Sequence, residues 1–218
     1  KQPEYDVLRD FIPITQLTSS PAFLYVNKDF PANSVQDVIN LARKNPGSIN
    51  YASSGVGSFL HLSGELFASL AKIDLTHVAY KGTGPALTDL LAGRAQIMLN
   101  LVQPALPHIK AGKLKLLAIG TTSPSSDYPS LPTIASTVPG YESSTWLGFF
   151  APANTPNAVV DRIYQVLSTA LKQPDVRAKL KTAGGDPLGS SPSEFAKFVA
   201  EKHKEMGEVV KLAKLPMH

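Results

Sequence analysis

Apolar and polar positions follow two rhythms along this chain, and the rhythm changes at loops of glycine and serine. Ile49–Ala52 is a short apolar run, and Ser53-Ser54-Gly55-Val56-Gly57-Ser58 interrupts it. Phe59, Leu62, Leu66, Phe67 and Leu70 then recur at helical spacing. The pattern predicts a strand, a loop and an amphipathic helix. A second such unit follows. Leu75–Tyr80 alternates like a strand, Lys81-Gly82-Thr83-Gly84-Pro85 breaks it, and a helix runs on to Gly93. Pro85 suits the first helical position, and Gly93 suits the stop. Gln96–Asn100 and Leu114–Gly120 read as two more strands, with a short helix at Pro104–Ala111 between them.

Before these units, Asp10–Ile14 reads as a turn entering a strand, and Ala22–Val26 as a β-type run. Asn33 or Ser34 can cap a helix that Asn45-Pro46-Gly47 stops. After them, Thr121–Tyr141 is rich in proline and loops, and Thr145–Ala151 is an apolar strand. Helices are expected from Thr155-Pro156 and from Gln173-Pro174. Ser191-Pro192-Ser193-Glu194 is a capping box, opening a helix to about Ala213. Strand and helix alternate over 49–120, which argues for a parallel sheet flanked by helices. Ligands of such sheets bind at the carboxyl ends of the strands, where both glycine loops are expected.

Composition narrows the chemistry. The chain has 218 residues, 43% of them hydrophobic and 17% charged, so it is globular rather than disordered. It has no cysteine, which removes thiolate catalysis and disulfides. Its apolar runs are too short to span a bilayer. Net charge is +4, but the basic residues are scattered without interleaved aromatics, so no nucleic-acid partner is expected.

The two loops carry the candidate chemistry. A helix N-terminus presents unpaired N–H groups and partial positive charge. Glycines allow close approach to the backbone, and serine or threonine hydroxyls add donors. Two such turns in successive units suit an anion. The plainer alternative is a pair of β–α turns capped by serine. No Gly-x-Ser-x-Gly elbow is present. Lys81 precedes its glycines, so the second loop is not a nucleotide P-loop. His61 and Glu65 share a helix face at i, i+4, either as a metal pair without a third ligand or as an ordinary helix contact. His77 is read as packed or exposed on its strand, Glu65 and Asp89 as helix-surface charges, and Trp146 as core. Neutral donors with one lysine, and no nucleophile with its base, hold an anion rather than transform it.

The segments INYASSGVGSFLHLSGELF, VAYKGTGPALTDLLAGRAQIM, PALPHIKAGKLKLLAIGT and LPTIASTVPGYESSTWLGFFAPANTP occur in this order. Together they resemble the Bug-type solute-binding proteins of tripartite tricarboxylate transporters. The resemblance implies a periplasmic-binding-protein-like α/β fold, with mainly parallel sheets flanked by helices. It implies a periplasmic receptor without catalytic residues, cofactor or metal. Such a receptor captures a di- or tricarboxylate, an amino acid or an aromatic acid, and hands it to a membrane permease. By match to the family, the ligand-binding residues are Ser53, Ser54, Gly55, Gly57, Ser58, Tyr80, Lys81, Gly82, Thr83 and Gly84, with Asn100 at a strand end.

Family members carry further βα units before the Asp10–Ile14 segment, and this chain begins just ahead of it. The resemblance therefore implies one complete domain, residues 23–145, and an incomplete one, residues 1–22 and 146–218. Unpaired edges such as Thr145–Ala151 would then favour self-association. A fragment acting only as an interaction domain, and a serine esterase using a loop serine, are the alternative functions.

Overall fold

A computed structural model describes residues 4–212. The chain divides into two compact units. One takes the chain as far as Ser20, together with Thr145–Glu208. The other takes Pro21–Ser144 and resumes at Val209.

The second unit carries both glycine loops. It is built on β2 (Phe23–Asn27), β3 (Asn50–Ser53), β4 (Thr76–Ala79), β5 (Ile97–Asn100) and β6 (Leu114–Ile119). Their order in the sheet is β4-β3-β5-β2-β6. β3 runs parallel to β4 and to β5, as the alternating pattern predicts. β2 runs antiparallel to both β5 and β6, so the sheet is mixed. The apolar run Ala22–Val26 marked this strand, but a strand buried on both faces carries no record of its direction.

Side chains alternate between two apolar layers. Leu24, Val26, Tyr51, Ile97 and Leu99 face α1 (Val35–Lys44) and α2 (Phe59–Ala71). Phe23, Tyr25, Ala52 and Met98 face α3 (Thr83–Leu91) and α4 (Leu106–Lys110). Ser34 caps α1 by accepting the Asp37 N–H at 3.1 Å, as expected. α3 begins earlier than expected. Its cap is Gly82, so Pro85 is the third helical residue rather than the first. Proline is tolerated there because no N–H of the first turn has a partner within the helix.

The other unit holds a three-stranded sheet, β7 (Ser144–Pro152), β1 (Phe11–Pro21) and β8 (Asp186–Pro187), in the order β7-β1-β8. β8 is antiparallel to β1, so this sheet is not purely parallel either. β7 lies at the sheet edge, and Leu147 and Phe149 on it are exposed. Trp146 packs edge-on to Phe195 and Phe198, with ring centroids 5.6 and 5.4 Å away, but it is only half-buried, so it lies against the core rather than within it. α5 (Asn157–Leu171), α6 (Pro174–Thr182) and α7 (Pro192–Leu212) complete the unit. The capping box forms: the Ser191 N–H donates to Glu194 Oε2 at 2.8 Å, and the Glu194 N–H donates to Ser191 Oγ at 3.3 Å. The expected end of this helix at Ala213 falls outside the described residues.

Candidate functional site

β3 and β4 are parallel neighbours, so their carboxyl ends lie at one edge of the sheet. The loop after β3 leads into α2, and the loop after β4 leads into α3. Both glycine loops therefore open helices at the same edge, as the sequence pattern predicts. They are also joined directly. The Tyr80 N–H donates to Ser53 O at 3.0 Å, and the Gly82 N–H donates to Ser54 O at 3.2 Å. The two helix N-termini thus open from one bonded pair of loops.

The donors divide into those spent inside the loop and those left for a ligand. Ser53 is fully buried. Its hydroxyl oxygen accepts the Gly55 N–H at 3.2 Å and lies 2.6 Å from His77 Nε2. The Gly57 N–H donates to His61 Nδ1 at 3.0 Å. Ser58 caps α2 by accepting the His61 N–H at 3.3 Å. Ser53, Gly55 and Gly57 therefore shape the loop. Among the described residues, the hydroxyls of Ser54 and Thr83 and the Lys81 ammonium have no hydrogen-bond partner, and neither do the first-turn amides of Phe59, Thr83 and Gly84. These groups can receive an anion.

Tyr80 turns away from such a role. Its hydroxyl donates to Asp89 Oδ2 at 2.8 Å, and Arg94 donates to Asp89 Oδ1 through Nε at 2.9 Å. Burial first, and then Asp89, push the Tyr80 phenol up to about 12. Asp89 is thus more than the helix-surface charge expected of it, since it ties the end of β4 to α3. Asn100 is buried, and its side-chain nitrogen has no partner. It lies at the carboxyl end of β5, on the face that Met98 shares with α3.

Beneath the first loop lies a polar cluster of which the sequence revealed only the His61–Glu65 contact along α2. Tyr51 and His77 are register partners on β3 and β4, and their rings stack with centroids 4.9 Å apart. His61 of α2 stacks on His77 at 3.7 Å, nearly parallel at 8°. The Tyr51 hydroxyl donates to Glu65 in a short hydrogen bond. Glu65 is therefore another bonded group rather than a free surface charge. Its Oε1 lies 3.6 Å from His61 Nε2. Among the described residues, no group of three potential ligands could hold a metal ion. Burial and the bond to Glu65 drive the Tyr51 phenol far up. Burial lowers His61 against the pull of Glu65. Burial, and then His61, lower His77 to about 4.

Ser53 beside His77 has the look of a nucleophile with its base. The geometry does not support that role. The Ser53 hydroxyl is fully buried and already engaged, and the partner stacked on His77 is another imidazole rather than an orienting carboxylate.

The family model for the tripartite tricarboxylate transporter family receptor matches residues 1–215. The chain belongs to this receptor family. Its relatives include a UPF0065 protein in the tcbD-tcbE intergenic region of Pseudomonas sp. strain P51, 36% identical over 88% of this chain. The structure of Rpa4515 from R. palustris with adipate is similar at a TM-score of 0.86 and 34% identity, over 96% of this chain and 71% of that one. MatC from Rhodopseudomonas palustris with bound malate is similar at 0.81 and 32%, over 96% and 73%. The chain spans 58% of the Pseudomonas relative and 64% of the protein BugT of Bordetella pertussis, to which it is 28% identical. The family is one of receptors, and its fold is the periplasmic-binding-protein type that the motifs implied.

Proposed function

We propose that this chain supplies a carboxylate-holding wall of a periplasmic receptor, which passes its ligand to a membrane permease. One observation carries the reading. Two strand–loop–helix units stand side by side, joined by the Gly82 N–H to Ser54 O bond, with the free hydroxyls of Ser54 and Thr83 beside Lys81. Carboxylate oxygens accept from such donors, and a helix N-terminus favours their charge. Ser54, Ser58, Lys81, Thr83 and Gly84 touch the ligand in this reading. Ser53, Gly55, Gly57, Tyr80 and Gly82 hold the loops that present them, and Asn100 donates from β5. The adipate and malate named with two similar structures support a small dicarboxylate as ligand.

An exposed helix end contributes about 0.3–1 kcal/mol toward an anion. A few such contacts, set against the entropy of capture, give a dissociation constant on the order of 1 mM, about −4 kcal/mol. Calorimetric titration with adipate and with malate tests this. Saturable heat is the expected result, weakened by Ser54→Ala. No heat with either acid at tens of millimolar would leave the interaction-domain alternative instead. Hydrolysis of a simple ester that Ser54→Ala or Ser58→Ala abolishes would favour the esterase.

A further inference from the structure

We infer that His61 and His77 are positioning residues for the first loop, and that their stacked, neutral imidazoles hold the loop in its anion-presenting shape. This rests on the reading above only where it concerns ligand. The hold itself is a matter of hydrogen bonds. Two glycine amides of the loop end on the pair, Gly57 directly on His61 Nδ1 and Gly55 through Ser53 Oγ, which His77 Nε2 contacts at 2.6 Å. His61 is also the third residue of α2, and its own N–H is capped by Ser58. The exchange resembles a capping box with an imidazole in the place of Glu or Gln, shifted by one residue because the amide it holds is that of Gly57, just before the Ser58 cap.

The bond from Gly57 fixes the tautomer. Nδ1 accepts, so the proton of neutral His61 sits on Nε2, facing Glu65. A second proton would put an N–H at Nδ1 opposite the Gly57 N–H, donor against donor. Charging both rings would set two cations 3.7 Å apart. Each packed element presents its own groups to the pair. α2 brings Glu65, which opposes the burial of His61, and β3 brings the neutral Tyr51 phenol and Ser53. The direction follows from the sign of the shifts. Both imidazoles titrate below the ordinary histidine value, His77 near 4. Above the ordinary value the hold is complete, with no protons to expel. As pH falls through the folded values, protons enter, the hold is lost, and the stability it confers goes with it.

The test is amide hydrogen exchange and imidazole NMR on the ligand-free chain, from about pH 8 down to about pH 3, a range that runs from above the ordinary histidine value to below that of His77. The expected result is a neutral Nε2–H tautomer for His61 at neutral pH. The Gly57 amide should lose protection, relative to its intrinsic exchange rate, as the pair titrates. His61→Phe keeps the stack and removes the acceptor. It should speed Gly57 exchange about tenfold at neutral pH, the factor that loss of one such hydrogen bond supplies. His61→Asn restores an acceptor near Nδ1 without a titrating ring, so protection should return and its dependence on pH should flatten. Gly57 protection that ignores both pH and the loss of the acceptor would overturn the inference. If His61→Phe does not fold, the wild-type titration and His61→Asn decide alone. Adipate titrated across the same pH range forms a separate arm. Expected amide behaviour without adipate binding would sink the ligand reading and leave the positioning role standing.

Discussion

Replacing Gly64 with alanine is expected to destabilise the five-stranded unit by about 1–3 kcal/mol, the usual cost of overpacking a filled core. A Cβ at Gly64 would overlap the ring carbons of Tyr51. That ring cannot step aside. It is fully buried, hydrogen-bonded to Glu65 and stacked against His77 at 4.9 Å. Helix propensity pulls the other way, because alanine gains about 1 kcal/mol over glycine inside a helix. The steric term outweighs that gain while Tyr51 stays fixed. Urea denaturation should show a lower midpoint with an unchanged slope. A higher midpoint would mean that the Tyr51–Glu65–His77 arrangement is softer than described. The same change should disturb the imidazole pair, since Tyr51 is its floor on β3.

Gly82→Ala is expected to weaken carboxylate binding by about tenfold or more, from a backbone cost of about 1–3 kcal/mol. Gly82 sits at φ +112 and ψ 171, a conformation essentially reserved for glycine. Space is not the obstacle, since an added Cβ would meet nothing within 4 Å. The strain falls on the backbone instead. Relief requires rotating the residue whose N–H bonds Ser54 O and whose carbonyl precedes the Thr83 amide. Both the bond between the loops and the first donor of α3 are then misplaced. Calorimetry with adipate, beside a denaturation curve, separates the two effects. Unchanged affinity would show that the second loop does not present the ligand's donors.

Much of this was legible in the sequence wherever the signal is local. Ser34 and the Ser191–Glu194 box announced helix starts because a cap bonds amides two or three residues away. The two glycine loops announced themselves by interrupting strand and helix rhythms, and the shared edge followed from parallel pairing. What stayed hidden depends on partners far along the chain. The pattern at Asp10–Ile14 marks a turn entering a strand, but nothing in the polar residues Thr15–Ser20 shows that β1 runs on through them to Pro21. Thr15 Oγ1 donates to Ser190 O at 2.7 Å, and the Gln16 N–H donates to Ser190 Oγ at 3.0 Å. No periodicity reports bonds across so long a separation. β8 was missed for its two-residue length. His61 and His77 were weighed one at a time, as a helix contact and a strand residue. Their stack exists because the β3–β4 register sets His77 beside Tyr51 under α2. The loop serines were read as one set of donors, and burial divides them, with Ser53 inward and Ser54 left free.

The most direct test of the carboxylate-holding edge is an amide-resolved NMR titration of the chain with adipate. The account predicts that the largest shifts cluster at Ser54–Phe59 and at Lys81–Gly84, the two helix starts joined by the Gly82 to Ser54 bond. They should saturate together with a single dissociation constant on the order of 1 mM. The exposed face of α5 should stay unmoved. Shifts confined elsewhere, or none at either helix start with adipate in large excess, would contradict it.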